Sequence, residues 1–159
     1  MTLNLTQRKA KLKDIHRIVE LLNEDDLGKT REHLSLTRKL DPRYTKAFEL
    51  INSDPNQYLM VVESDNQIVG TCHLTIMPSL TFIGSTRMQI EAVRVAASMR
   101  GMQIGEWMMN EAIAYAESNG ASIIQLTTNK QRSRAKHFYE KIGFEATHEG
   151  MKLYLKDNV

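Results

Sequence analysis

The sequence has 159 residues, of which 42% are hydrophobic and 25% charged, as is typical of one soluble domain. This composition excludes a disordered, collagen-like or repetitive chain, and a net charge of +2 is too small to indicate nucleic-acid binding. The single cysteine, Cys72, excludes an internal disulfide and a cysteine-rich zinc site, and we expect it to be a small buried hydrophobe. The N-terminus shows no signal peptide and no run of 18 apolar residues occurs, so we predict a cytoplasmic protein with no membrane partner.

The first third of the chain predicts a strand followed by two helices. Residues 2–9 favour a short strand. Asp14 can cap a helix in which Ile15, Ile18, Val19 and Leu22 form one apolar stripe. Asp41-Pro42 predicts a second helix start, because an N-cap residue is followed by proline at the first helical position, and turn residues from Asp54 end that helix.

The rest of the chain predicts a strand-rich half and then strands alternating with helices. The predicted elements are a hairpin of 58–63 and 67–77, a strand at 86–96, a helix at 104–118, a strand at 122–128, a helix at 133–142 and a last strand in which Met151, Leu153 and Leu155 alternate. This order predicts one α+β domain over residues 1–159, with a mixed, mostly antiparallel central sheet flanked by about four helices.

The loop between the 86–96 strand and the following helix is the first feature with chemical meaning. It reads Arg100-Gly101-Met102-Gln103-Ile104-Gly105 and then enters the helix. A helix start exposes unpaired backbone N–H groups, and glycine lets a ligand approach them closely, so the pattern suits a pyrophosphate. The loop matches neither a Walker motif nor a dinucleotide fingerprint, and a simple turn is the alternative.

A second motif begins on the predicted helix at 133–142, which follows the predicted strand at 122–128. Residues 135–144 read Ala-Lys-His-Phe-Tyr-Glu-Lys-Ile-Gly-Phe. Together with the loop, this motif resembles the GNAT superfamily of acetyl-CoA-dependent N-acetyltransferases. Arg100 and Gly105 match the outer positions of the family's loop pattern. The matches to its later pattern are Ala135, Phe138, Tyr139, Glu140, Lys141, Gly143 and Phe144.

The resemblance implies a cofactor site built mainly from backbone. Val93 and Val95 would pair through their backbone with the pantetheine arm of acetyl-CoA, although simple core packing also explains them. The loop residues implied to bind the pyrophosphate are Arg100, Gly101, Met102, Gln103, Ile104 and Gly105. Gln103 replaces the family's central glycine, and we expect a helical backbone there, because a left-handed one would cost a residue with a Cβ about 1 kcal/mol. Acetyl-CoA is the expected co-substrate, and the histidines show no metal-ligand spacing.

Two residues are candidates for the chemistry. The resemblance implies that Tyr139 protonates the leaving thiolate of coenzyme A, while its place in a helical apolar stripe favours plain packing. Glu91 is the candidate general base, since a period of two places Glu91, Val93 and Val95 on one face of the strand. The alternative for Glu91 is a structural ion pair with a basic side chain such as Arg87.

The acceptor is the least legible part of the sequence. The resemblance implies acetylation of an amine, on a small molecule or a protein, by direct attack in a ternary complex. Asp25 and Asp26 would border the acceptor cleft and attract an ammonium group, or form an ordinary exposed helix end. A non-catalytic module that senses acyl-CoA is the alternative function. We expect no nucleic-acid partner, because the basic run 130–136 contains no aromatic residue, and a homodimer is left open.

Overall fold

The computed structural model describes residues 3–24, 28–31 and 39–155. Its strands are β1 (Leu5–Lys9), β2 (Gln57–Ser64), β3 (Gln67–Met77), β4 (Thr86–Val95) and β5 (Ala121–Leu126). Its helices are α1 (Ile15–Asn23), α2 (Gly28–Arg31), α3 (Pro42–Ser53), α4 (Thr81–Gly84), α5 (Ile104–Ser118) and α6 (Ser133–Lys141). The four longer helices confirm the four predicted ones, and the Asp41 side chain caps α3 by accepting the Arg43 N–H at 2.9 Å.

The strands form a mixed five-stranded sheet in the order β1-β2-β3-β4-β5, which confirms the predicted fold class. β1 through β4 pair antiparallel. The β2–β3 hairpin closes through Asp65 and Asn66, both with positive φ, as a two-residue hairpin turn requires. β5 follows β4 after the α5 crossover. Contacts divide the chain into two compact units, up to Gln125 and from Leu126 on.

The two faces of the sheet in the first unit bury different helices. α1 and α3 cover one face, where Ile15, Ile18 and Val19 pack with Phe48 and Val61. α5 covers the other face. There Met108 of α5 packs beside Gly70 of β3, and the rings of Tyr58 and Tyr115 lie with their centroids 4.6 Å apart. The sheet therefore separates a surface under α1 and α3 from a surface under α5.

A β-bulge in β4 changes which side chains share a face. His73 lies opposite Glu91 and Thr71 lies opposite Arg94, so one more residue is fitted into β4 than into β3. The extra residue sits at Ala92, whose φ is 52°. Because directly paired residues share a face, Arg94 joins Glu91 under α1 and α3, whereas Val93 and Val95 point to the α5 side. The prediction that Glu91, Val93 and Val95 share one face is therefore wrong.

The C-terminal segment differs from the sequence prediction. The described residues 151–155 contain no strand, and Met151, Leu153 and Leu155 are 93%, 86% and 87% exposed. An alternating pattern produces a strand only where a neighbouring strand pairs with it, and the structure assigns none to this segment. Between β3 and β4, Phe82 (φ 51°, ψ 45°) and Ile83 (φ 59°, ψ 47°) are both left-handed. α4 is therefore a left-handed turn.

Candidate functional site

The loop between β4 and α5 presents backbone rather than side chains. Gly101 has φ 81° and Gln103 has φ 61° and ψ 9°, so two left-handed residues flank Met102 ahead of the first turn of α5. Alternating backbone conformations of this kind turn successive N–H groups toward one concavity that can hold an anion. The side chains of residues 100–103 are exposed. The residues present therefore fit a diphosphate held by backbone amides.

Gln103 contradicts the expectation of a helical backbone at this position. Its left-handed conformation costs about 1–2 kcal/mol. The chain adopts it because the next residue, Ile104, enters the core at 1% exposure, and burying an isoleucine side chain contributes about 1.5–3 kcal/mol. Packing of α5 against the sheet thus outweighs the local strain.

The loop is also tied to α1. The Ala97 N–H donates to a carboxylate oxygen of Glu24 at 2.6 Å, one residue past the end of α1. The Arg100 guanidinium turns back to the Val95 carbonyl at 3.4 Å. These bonds fix the loop ahead of α5 without using the amides at the start of that helix.

Glu91 stands on the α1 and α3 side of β4 with its side chain exposed to solvent. No cation lies within ion-pair distance of it among the described residues, so the alternative of a structural pair with Arg87 is wrong. Its cross-strand neighbour is His73. Burial lowers the pKa of His73 below its ordinary value, and the negative charge of Glu91 partly offsets that decrease. The two side chains therefore lie next to each other across the strands, beside the bulge.

A row of polar side chains continues from Glu91 toward the amino end of β4. The His73 ring and the Thr75 hydroxyl both donate to the side-chain carbonyl of Gln57. The Gln125 amide donates to the side-chain carbonyl of Gln89 at 2.9 Å. Each of these bonds joins side chains on neighbouring strands, so the row is held in one arrangement on this face.

Tyr139 belongs to the second unit. It lies on α6, half-buried, and its ring packs edge-on against Phe138 at 5.2 Å and Phe144 at 5.8 Å between centroids. Gly143 has φ 101° and ends the helix, which lets the Phe144 N–H bond back to the Tyr139 carbonyl at 3.0 Å. The residues of the second motif therefore form one aromatic cluster at the end of α6.

A comparison with protein families decides what this arrangement belongs to. Residues 15–144 match the profile of the acetyltransferase (GNAT) family. The chain belongs to the GNAT acetyltransferase family. The matched span contains β4, the loop before α5 and the second motif, which confirms the resemblance seen in the sequence.

Named relatives of this GNAT protein include two curated N-acetyltransferases. The chain is 30% identical over 98 residues to the aminoalkylphosphonate N-acetyltransferase of Salmonella typhimurium, which covers 60% of this chain and 61% of that protein. It is 28% identical over 144 residues to the glucosamine 6-phosphate N-acetyltransferase of Trypanosoma brucei brucei, covering 86% of this chain and 95% of that one. The chain thus spans about three fifths of the first relative's length.

Among solved structures, a transcriptional regulator from Bacillus halodurans C-125 superimposes with a TM-score of 0.91 and 40% identity. The match covers 96% of this chain and 100% of that chain.

Other features of this GNAT protein bear on the predicted chemistry. Cys72 is fully buried, which confirms the prediction, and burial raises the pKa of its thiol to about 12. Asp25 and Asp26 lie outside the described residues. In the described part of the chain, no three His, Cys, Asp or Glu residues come close enough together to hold a metal ion. No helix there has the length and apolarity to cross a membrane.

Sequence reasoning did not find His73 and the polar row beside Glu91. The signal was present in the pattern, because His73 and Thr75 alternate with the buried Cys72 and Leu74 along β3. What the sequence lacks is the register that pairs β3 with β4. That register depends on the bulge at Ala92, which no glycine marks.

Proposed function

We propose that this GNAT protein transfers an acetyl group from acetyl-CoA to a primary amine by direct attack in a ternary complex, with residues 1–159 acting as one domain. The observation that carries the proposal is the pair of left-handed residues, Gly101 and Gln103, directly before a 15-residue helix. An anion cradle at this place in a member of an acetyltransferase family suits the diphosphate of coenzyme A.

Backbone groups supply most of the proposed cofactor contacts. Residues 100–105 hold the diphosphate through N–H groups, which explains why Met102 can be 50% exposed and Gln103 can replace glycine. The backbone of Val93 and Val95 pairs with the pantetheine arm. Backbone pairing does not depend on which face of the sheet their side chains occupy. The proposed role therefore still holds although the bulge places these side chains on the α5 side.

Glu91 and Tyr139 divide the proton transfers in this mechanism. The amine nitrogen attacks the thioester carbonyl carbon and loses a proton to the Glu91 carboxylate. The C–S bond then breaks, and the Tyr139 hydroxyl gives its proton to the departing thiolate. An exposed carboxylate with no ion-pair partner among the described residues can accept a proton directly or through water.

The acceptor is proposed to be a small amine rather than a protein. The names of two curated relatives specify an aminoalkylphosphonate and glucosamine 6-phosphate, and both are small molecules that combine an amine with a phosphorus oxyanion. A cytoplasmic location and a homodimer stay predictions.

An acyl-CoA sensor without turnover is the second candidate. The name of the 40% identical structure, a transcriptional regulator, favours it. A sensor binds acetyl-CoA through the same loop but needs no general base, so release of coenzyme A in the presence of amines separates the two functions.

Calorimetric titration with acetyl-CoA, followed by a coenzyme A release assay on a panel of small amines, tests the proposal. We expect saturable binding and amine-dependent release of coenzyme A. Binding without release for any amine would favour the sensor, and no binding at millimolar acetyl-CoA would contradict both functions.

The Tyr139→Phe variant tests the role of the hydroxyl. Phenylalanine keeps the ring packing against Phe138 and Phe144. We expect kcat to fall by about 10²-fold or more, with little change in KM for acetyl-CoA, because the lost interaction develops only as the thiolate leaves. Wild-type turnover in this variant would remove Tyr139 from the mechanism, and a matched thermal melt checks the fold.

A further inference from the structure

The amino end of β4 carries a cation whose partners are all neutral. Arg87 precedes Gln89 and Glu91 on the same face of the strand, and its side chain is half-buried. One guanidinium nitrogen donates to the Thr81 hydroxyl and another reaches the Gln125 side-chain carbonyl at 3.5 Å, the outer limit of a hydrogen bond. The Nε atom is buried and has no hydrogen-bond partner.

Other arginines of this protein are bound by carboxylates. Arg8 is bound by the carboxylates of Asp14 and Glu63, and Arg17 by Glu20 and Glu24. Arg87 has no carboxylate within 4 Å in the described part of the chain. The Phe82 ring, 5.6 Å from its guanidinium carbon, adds only a weak cation–π contact. A half-buried guanidinium without a carboxylate partner is costly to desolvate, and an oxyanion bound to its terminal nitrogens would offset that cost.

The position of Arg87 indicates which molecule supplies that oxyanion. On the proposed function, acetyl-CoA occupies the carboxyl end of β4, beside Val93 and the loop at 100–105. The acceptor must then approach Glu91 from the other end of the strand. The Cα atoms of Arg87 and Glu91 lie roughly 13 Å apart along the strand. The distance between their charged groups is set by two long side chains, and the Arg87 guanidinium contacts the same Gln125 side chain that is bonded to Gln89. The uncharged Gln89 and Gln125 amides lie between them, so a small molecule can place its amine at Glu91 and an anionic group at Arg87.

We propose that Arg87 binds an oxyanion of the acceptor, which makes the acceptor a small primary amine that carries a phosphonate, phosphate ester or carboxylate a few atoms from its nitrogen. A guanidinium suits this task because its planar N–H groups can bind two oxygens of one oxyanion at once. The inference rests on the proposed function, since the placement of the amine depends on Glu91.

Titration of the protein, saturated with coenzyme A, with 3-aminopropylphosphonate and separately with butylamine tests the inference by binding alone. We expect the phosphonate to bind at least 10-fold more tightly than butylamine. Arg87→Gln should weaken phosphonate binding by about 10- to 100-fold. Arg87→Lys should weaken it by less, because lysine keeps the positive charge but lacks the planar N–H groups that bind two oxygens at once. A parallel titration with 4-aminobutyrate shows whether the oxyanion is carried on phosphorus or on carbon.

The controls separate this inference from the proposed function. Arg43→Gln removes an exposed arginine that pairs with Asp41, and we expect it to leave phosphonate binding unchanged. Thermal melts show whether Arg87→Gln remains folded, and Arg87→Lys carries the test if it does not. Equal affinity for the two amines, or equal phosphonate binding by wild type and both Arg87 variants, overturns the inference. Phosphonate binding that requires Arg87 upholds it, even if no amine is acetylated and the proposed function fails.

Discussion

At its carboxyl end β4 runs into a loop that offers backbone amides, whereas at its amino end it offers a row of side chains. The loop reaches its conformation through left-handed residues such as Gly101 and Gln103 and leaves its side chains in solvent. At the other end, hydrogen bonds between side chains hold Gln89 and Gln125 in place. A backbone site tolerates substitution as long as the fold holds, while a side-chain site depends on residue identity.

The largest effect should come from the side-chain end. Glu91→Gln keeps the size and polarity of the side chain but removes the base, so we expect kcat to fall by about 10²- to 10⁴-fold with acetyl-CoA affinity little changed. Steady-state kinetics with the best acceptor, together with calorimetry for acetyl-CoA, measures both. Glu117→Gln makes the same chemical change on the exposed part of α5 and serves as the control. Comparable losses in the two variants would mean that Glu91 is not the base.

At the backbone end, Gly105→Val should weaken acetyl-CoA binding by about 10-fold or more. A branched side chain in the first turn of α5 crowds the approach to the amides. Gln103→Ala should weaken binding far less, since Gln103 contributes its backbone. Calorimetry compares the two variants. Thermal melts show whether each variant keeps its fold, and valine is a better helix former than the glycine it replaces. Similar losses in both would show that side chains, and not amides, bind the cofactor.

The smallest effect is one of stability. Gln103→Gly relieves the left-handed strain and should raise the free energy of unfolding by about 1 kcal/mol, or the melting temperature by about 2–4 °C. Met102→Gly should instead lower the free energy of unfolding. The backbone at Met102 is not left-handed, so glycine only adds conformational freedom to the unfolded chain. Denaturation of both variants tests this, and destabilisation by Gln103→Gly would mean that the glutamine side chain has a packing role.

The sequence predicts the elements of this fold well because most carry two independent signals. The Asp41-Pro42 cap and the apolar spacing that follows it both place α3, and turn residues flank the strands of the hairpin. Residues 151–155 carry one signal alone, alternation, and form no strand. The predicted last strand lacked the partner that only tertiary structure could supply.

The sequence predicts which residues belong to the candidate site but not how the backbone arranges them. The motifs locate the loop, Glu91 and Tyr139. The bulge at Ala92 and the left-handed Gln103 leave no mark in the sequence, since neither position is a glycine. Each is a left-handed residue that the surrounding structure holds in place, and a pattern of period two does not reveal it. The interpretation of Arg87 as a partner of Glu91 was wrong for a related reason: proximity along a strand does not fix where a long side chain bonds.

The burial of Cys72 has a practical consequence for any assay of this protein. Coenzyme A released by acetyl transfer is a free thiol, and thiol-reactive dyes can count it. The chain's one cysteine is 0% exposed, with its sulfur 3.9 Å from that of Met60, and it stays protonated at neutral pH because its pKa is raised to about 12. The folded protein therefore contributes no background colour. The same dye in denaturant reports one thiol per chain, so a single reagent measures both turnover and the unfolded fraction of each variant.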